Sequence, residues 1–292
     1  MDPFARLPRA LQGILYTLLA GLLLTFLNAI MRVLVQTLDV YQVQCLRYFF
    51  GAVVVLPIVL RLGLRGCRTQ ALGLQLWRGV THTLGLALWF TALPFVPLSD
   101  IAAIGFTTPL FIMLGAVLFL GEKTDARRWA GVGLGFLGVC VVMAPAFTGS
   151  GGFAMLLLLA SAPLFAASFL IAKALTRHDS PAVIVIWQAG MVALMSLPIA
   201  IPGWTWPSAW EWTLLVACGV IGSLGHFCLT RAFAAADISA AQPFKFVELV
   251  WASLWGFLIF SDVPGVWTFV GAAIIFGATT WVARAEQRRK SG

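Results

Sequence analysis

The run LSDIAAIGFTTPLFIMLGAVLFL, Leu98–Leu120, carries one charge, Asp100, at its start and is otherwise apolar apart from Ser99, Thr107 and Thr108. As a helix rising 1.5 Å per residue it reaches about 34 Å, enough to cross a hydrocarbon core of about 30 Å. It lacks the period-two alternation of a barrel strand, so it reads as a membrane helix. Working outward, nine further runs of this kind appear: Gln12–Leu34, Tyr41–Leu62, Leu72–Pro94, Trp129–Phe147, Gly152–Leu175, Pro181–Ile201, Trp210–Ala235, Ile238–Phe260 and Gly265–Ala285. Together they use up nearly the whole chain, which leaves no room for an extramembrane domain. The composition agrees: 61% of the 292 residues are hydrophobic and 10% charged, against about 25% charged in a soluble domain. The expected fold class is an all-α membrane protein of ten transmembrane helices, with the lipid bilayer as its surroundings.

The net charge of +8 could suggest nucleic acid, but the placement of the charges speaks against it. With the N-terminus in the cytoplasm, fifteen of the nineteen Lys and Arg residues fall in inside segments and only Arg32 falls outside, while Arg47, Arg78 and Lys245 lie within spans. That asymmetry obeys the positive-inside rule. It predicts a multi-pass protein of the bacterial inner (plasma) membrane with both termini cytoplasmic and no nucleic-acid partner. No small-residue cleavage site follows the first apolar run, which is therefore expected to be a retained helix rather than a signal peptide. The five cysteines, Cys45, Cys67, Cys140, Cys218 and Cys228, show no metal-ligand spacing. No metal and no cofactor are expected.

Sliding the chain along itself gives one persistent offset, 140, which superposes Gly79-Val80 on Gly219-Val220, Leu84-Gly85 on Leu224-Gly225, Asp39 on Asp179 and Gly131 on Gly271. The expected domains are residues 1–147 and 148–292, five helices each. Five is odd, so the second half starts on the opposite side of the membrane and the repeats are inverted, an architecture that recurs in secondary transporters.

The segment Pro97-Leu98-Ser99-Asp100 through Thr107-Thr108-Pro109, running on to Leu120-Gly121-Glu122-Lys123 and Trp129-Ala130-Gly131, resembles the drug/metabolite transporter superfamily, in particular its EamA-type ten-helix members. The second half repeats the pattern as Gln242-Pro243-Phe244, Glu248-Leu249-Val250-Trp251 and Phe260-Ser261-Asp262, with Leu249 where the first half has Pro109 and Ser261-Asp262 where it has Gly121-Glu122. The resemblance implies a carrier of small organic solutes. Members of the family export amino acids or take up riboflavin or S-adenosylmethionine.

Ionisable groups inside a bilayer cost about 2.5–3.5 kcal/mol at mid-helix, so each is a candidate until a partner is found. In the third span Arg78, His82, Gly85 and Trp89 share one stripe, with His82 near the midplane; Arg78 is read as structural. In the ninth span Lys245 and Glu248 sit three residues apart, close enough to pair with one another or to hold the two ends of a zwitterion. Trp255 shares their face. Under the offset Thr108 is the partner of Glu248, which brings Thr107, Thr108 and the helix hinge Pro109 to the same cavity. His226 and Asn28 are weaker candidates, because a lone polar residue on an apolar helix is more often an interhelical bond. Enzyme readings are poor: there is no HExxH motif and no phosphate-cradling glycine loop, so direct ATP coupling is not expected.

The expected activity is secondary transport of small organic metabolites by alternating access. Amino acids or similar zwitterions are favoured, aromatic ones first, because of the deep tryptophans and paired charges. Uptake of a larger planar metabolite such as riboflavin or S-adenosylmethionine is the alternative, and a channel or membrane scaffold is the alternative of another class. Proton coupling through Glu248 and a monomer or weak homo-oligomer complete the expectations.

Overall fold

The computed structural model describes residues 7–105, 107–108, 110–112, 114–115, 126–147, 152–235 and 247–290. Ten α-helices fall within them, in the order of the ten apolar runs: α1 Arg9–Leu34, α2 Val40–Gly66, α3 Leu72–Ala92, α4 Leu98–Gly105, α5 Ala126–Phe147, α6 Gly152–Leu175, α7 Pro181–Ala200, α8 Ala209–Ala235, α9 Val247–Phe260 and α10 Val266–Lys290. No strand occurs among the described residues. α1, α2, α6, α7 and α8 are long and apolar enough to cross a membrane by themselves. The protein is a ten-helix membrane protein.

Local chemistry accounts for the helix ends. The Asp39 carboxylate accepts from the backbone N–H groups of Tyr41 and Gln42 at 2.9 and 3.1 Å and so caps the start of α2. Ser180, followed by Pro181 at the first helical position, accepts from Val183 N–H and starts α7. Ser208 and Glu211 form a capping box before α8: the Ser208 N–H donates to Glu211 at 2.6 Å, and the Glu211 N–H donates back to the Ser208 hydroxyl at 3.4 Å. After α3 one 3₁₀ turn, Leu93–Phe95, leads to Val96 in extended backbone, the conformation that Pro97 imposes on its predecessor. Within α2 the backbone turns at Gly63, φ 67°, a conformation that suits glycine.

Pro109 was expected to kink or loosen the helix of the run Leu98–Leu120 by removing a backbone bond. Among the described residues α4 stops at Gly105, and Thr107 sits in a turn before helical residues resume at Thr108. The cause is legible: a proline at 109 has no N–H for the carbonyl of Gly105, so the ladder opens one turn upstream. Pro109 itself lies outside the described residues.

Packing follows a pseudo-two-fold axis. Exchanging each helix of the first five with its counterpart in the second five maps the pair α1·α8 onto α6·α3, α2·α8 onto α7·α3 and α1·α9 onto α6·α4; α2·α7, α4·α9 and α5·α10 map onto themselves. The closest approaches obey the same exchange. A Cβ on Gly85 would meet Leu164 at 3.3 Å and one on Gly225 would meet Leu24 at 2.8 Å; Gly79 abuts Met191 as Gly219 abuts Gly51. All four pairings are related by the offset of 140. Small residues at these crossings let backbones approach, which is how helices associate where lipid removes the hydrophobic drive.

The fold is inside-out by soluble standards. Leu60, Trp77, Phe153, Phe257 and Trp267 are exposed, whereas Gln42, Gln44, Arg47, Gln75, Arg78 and His82 are buried. Such a distribution fits a protein whose outer face meets acyl chains and whose interior serves a polar purpose.

Candidate solute cavity

A cavity of about 190 Å³ lies between the two halves, walled by α1, α2, α3, α4, α6, α8 and α9. Its position follows from the packing: α1 and α6 each cross into the opposite half, and α4 and α9 close the side between them. Asn28 and Thr25 come from α1, Arg47 and Tyr48 from α2, His82 and Trp89 from α3, Phe165 and Phe169 from α6, His226 from α8 and Glu248 from α9, with Thr108 just beyond the break in α4.

A buried relay of hydrogen bonds crosses the cavity wall. Arg78, buried at the end of the α3 stripe, donates to the backbone carbonyl of Ile184 at 3.1 Å and to Oε1 of Gln188 at 2.5 Å. A guanidinium has only donors, so the oxygen of Gln188 must face it. The amide nitrogen of Gln188 is thereby aimed at Nε2 of His82, 2.8 Å away. Nε2 must then accept, which leaves the proton of His82 on Nδ1, where it donates to the Ser168 hydroxyl at 3.0 Å. Arg78 thus sets the tautomer of His82 through one intervening amide. The Tyr48 hydroxyl bridges His82 Nε2 at 2.8 Å and His226 Nε2 at 3.4 Å, joining α2, α3 and α8. The ring of Tyr48 lies under the guanidinium of Arg47, 4.1 Å from ring centre to charge.

The structure brings His82, Trp89, Thr108, His226 and Glu248 to one cavity wall. Glu248 folds against α1, with its Cγ 2.8 Å from where a Cβ on Gly21 would stand. Lys245, the other half of the expected charge pair, lies outside the described residues. Thr107 is wholly buried but turned into its own loop, its hydroxyl donating to the Ile104 carbonyl at 2.7 Å. Trp255 is not among the lining residues either: its ring packs on Phe26 with centroids 4.9 Å apart. Arg47 and Tyr48 are lining residues that sequence reasoning did not single out. Arg47 was visible as a cation within the second span, about 10 Å along α2 from Val40, and that depth was the signal. Nothing in the spacing marked Phe165 or Phe169.

Polar contacts also tie the two halves to one another. Arg32, at the end of α1, pairs with Asp262 in the α9–α10 connection and lies 4.4 Å from the centre of the Phe260 ring. Nearby, the Thr268 hydroxyl donates to Asp100 at 2.6 Å, linking α10 to α4.

Comparison with known proteins gives this geometry a context. Residues 11–144 and again 152–284 match the model of the EamA-like transporter family. The chain is 34% identical over 285 residues to a riboflavin transporter of Rhizobium johnstonii, covering 97% of this chain and 94% of the relative. It is 33% identical to a riboflavin transporter of Vibrio cholerae, with 96% and 95% covered. It is 31% identical to an S-adenosylmethionine uptake transporter of Rickettsia prowazekii, again with 96% and 95% covered. A family model that matches each half in turn, and relatives that align nearly end to end, leave one conclusion: the chain belongs to the EamA-like transporter family and is a multi-pass membrane transporter of small metabolites, not an enzyme.

Proposed function

We propose that this protein takes up a planar heteroaromatic metabolite, riboflavin first, by alternating access around the cavity between its two halves. The observation that carries the reading is the wall itself. Trp89, Phe165, Phe169 and Tyr48 surround the same space as His82 and His226, so flat π faces are offered beside polar groups that can meet the edge of a ring. The two riboflavin transporters among the relatives support it. The leaning toward amino acids, drawn from the deep tryptophans and the Lys245–Glu248 spacing, has no counterpart in the names of those relatives. A second reading, S-adenosylmethionine, is favoured by Glu248, whose carboxylate at the cavity wall suits a sulfonium or ammonium group.

Alternating access suits an inverted repeat, because two halves that exchange conformations give inward-open and outward-open states of similar energy. The ion pair between Arg32 and Asp262 joins the first half to the second. The experiment is uptake of labelled riboflavin, S-adenosylmethionine and phenylalanine by riboflavin-auxotrophic bacteria expressing the protein. Riboflavin accumulation above the vector control is expected. Accumulation of phenylalanine alone would return the assignment to amino acids.

A further inference from the structure

We infer that Arg47 is the specificity-determining residue of the cavity, holding a flat, two-acceptor edge of the solute with its guanidinium fork; this rests on the proposed solute class. Arg47 is 4% exposed, lies deep in α2 and lines the cavity. Its Nε and Nη1 atoms are buried without a hydrogen-bond partner, and no ion pair engages it among the described residues. Those two nitrogens carry three N–H groups. An arginine cannot shed its proton to escape burial. A charge kept inside a membrane protein with its donors empty is costly, and the cost is recovered when something arrives with acceptors.

The fork is held ready. Its face rests on the Tyr48 ring. Gly222 of α8 also packs against it, where a Cβ would come within 3.0 Å of Nη2, 3.2 Å of Nε and 3.3 Å of Cζ. Any larger residue at 222 would displace the guanidinium, so the glycine leaves it room to lie flat. A water is the rival occupant, but the space beside Arg47 on the α7–α8 side is only about 10 Å³. That is room for one water at most, so on that side the three donors are not all met, and the 190 Å³ cavity that Arg47 also lines is the space from which acceptors reach it.

The chemistry that fits is a coplanar pair of acceptors. The pyrimidine edge of a flavin supplies it with ring carbonyl oxygens and nitrogens, and S-adenosylmethionine supplies it with a carboxylate. Planar, paired recognition of this kind is what a guanidinium offers and an ammonium does not. Arg47 and Glu248 stand on the same cavity, so the lining favours a solute that is neutral overall or carries both signs.

The test is equilibrium binding to the full-length protein in detergent. One arm compares riboflavin with analogues in which sulfur, a weaker acceptor, replaces one pyrimidine-ring oxygen. The other compares S-adenosylmethionine with its methyl ester. Wild type is expected to lose about tenfold or more in affinity for the altered member of whichever pair it binds, the loss typical of buried donors left unpaired. Arg47→Lys, which keeps the charge but not the fork, and Gly222→Ala, which crowds the fork, are expected to bind both members at the same weakened level. Arg47→Lys and Gly222→Ala proteins that discriminate as wild type does would overturn the role of Arg47 and leave the solute class standing. Wild type that binds neither riboflavin nor S-adenosylmethionine would overturn both.

Discussion

His82 illustrates what a single residue discloses and what it withholds. An imidazole at the middle of an apolar span announces itself, because the bilayer tolerates it only for a reason. Its partners could not be read, since Gln188 and Ser168 are brought to it by other helices. For the same reason Arg47 was visible as a charge but not as a ligand: its setting depends on Gly222, far away in the chain. Trp255 shows the converse, a residue aligned with Glu248 on paper whose ring the packing directs to Phe26. Two predictions belong at this scale. Replacing Gln188 with Met strands donors on Arg78 and should cost about 1–3 kcal/mol, whereas the double variant Arg78→Met with Gln188→Met should recover much of that, because the buried charge leaves with its partner. Thermal unfolding of the three proteins in one detergent checks it; a double variant no more stable than the single would deny the coupling. Replacing Glu248 with Gln should abolish uptake driven by a pH gradient while sparing counterflow, if this carboxylate carries the coupling proton. Gradient-driven uptake by the variant equal to wild type would remove Glu248 from coupling.

The helices were the most legible level. Continuous apolar length is a strong signal, and the ends of α2, α7 and α8 carry their own caps in Asp39, Ser180 and Ser208. Length alone could not show that α4 stops at Gly105, because hydropathy is blind to a missing backbone donor; the proline at 109 was the signal. Nor could length rank the glycines. Gly271 and Gly138 press α10 against α5 so closely that a Cβ on Gly271 would meet the Gly138 carbonyl at 2.6 Å and Val142 at 2.4 Å. Gly271→Val should therefore force these helices apart and lower the unfolding temperature sharply, whereas Gly133→Ala, where nothing lies within 4 Å, should leave it nearly unchanged. Equal effects from the two would contradict the close crossing.

At the scale of the whole molecule, the internal repeat was readable as an offset, and the structure expresses it as contacts: Gly85 on Leu164 mirrors Gly225 on Leu24. The offset already pointed α4 and α9 at one cavity, whereas the share of α2 and α6 in its wall was beyond the sequence, because it is defined by which helices cross and not by any one of them. Orientation in the membrane rests on the distribution of Lys and Arg. Single cysteines at Arg65 and Arg128 should react with impermeant reagent only from the cytoplasm, and those at Gly151 and Pro207 only from outside; labelling of position 128 from outside would reverse the topology. The central claim, that the aromatic cavity between the repeats is where a flat metabolite is carried, is tested most directly by counterflow of labelled riboflavin in liposomes containing the purified protein and, separately, its Trp89→Ala variant. Saturable exchange by wild type and a severalfold weaker apparent affinity in the variant are the predicted result; no exchange by wild type, or identical affinity in the two proteins, would contradict it.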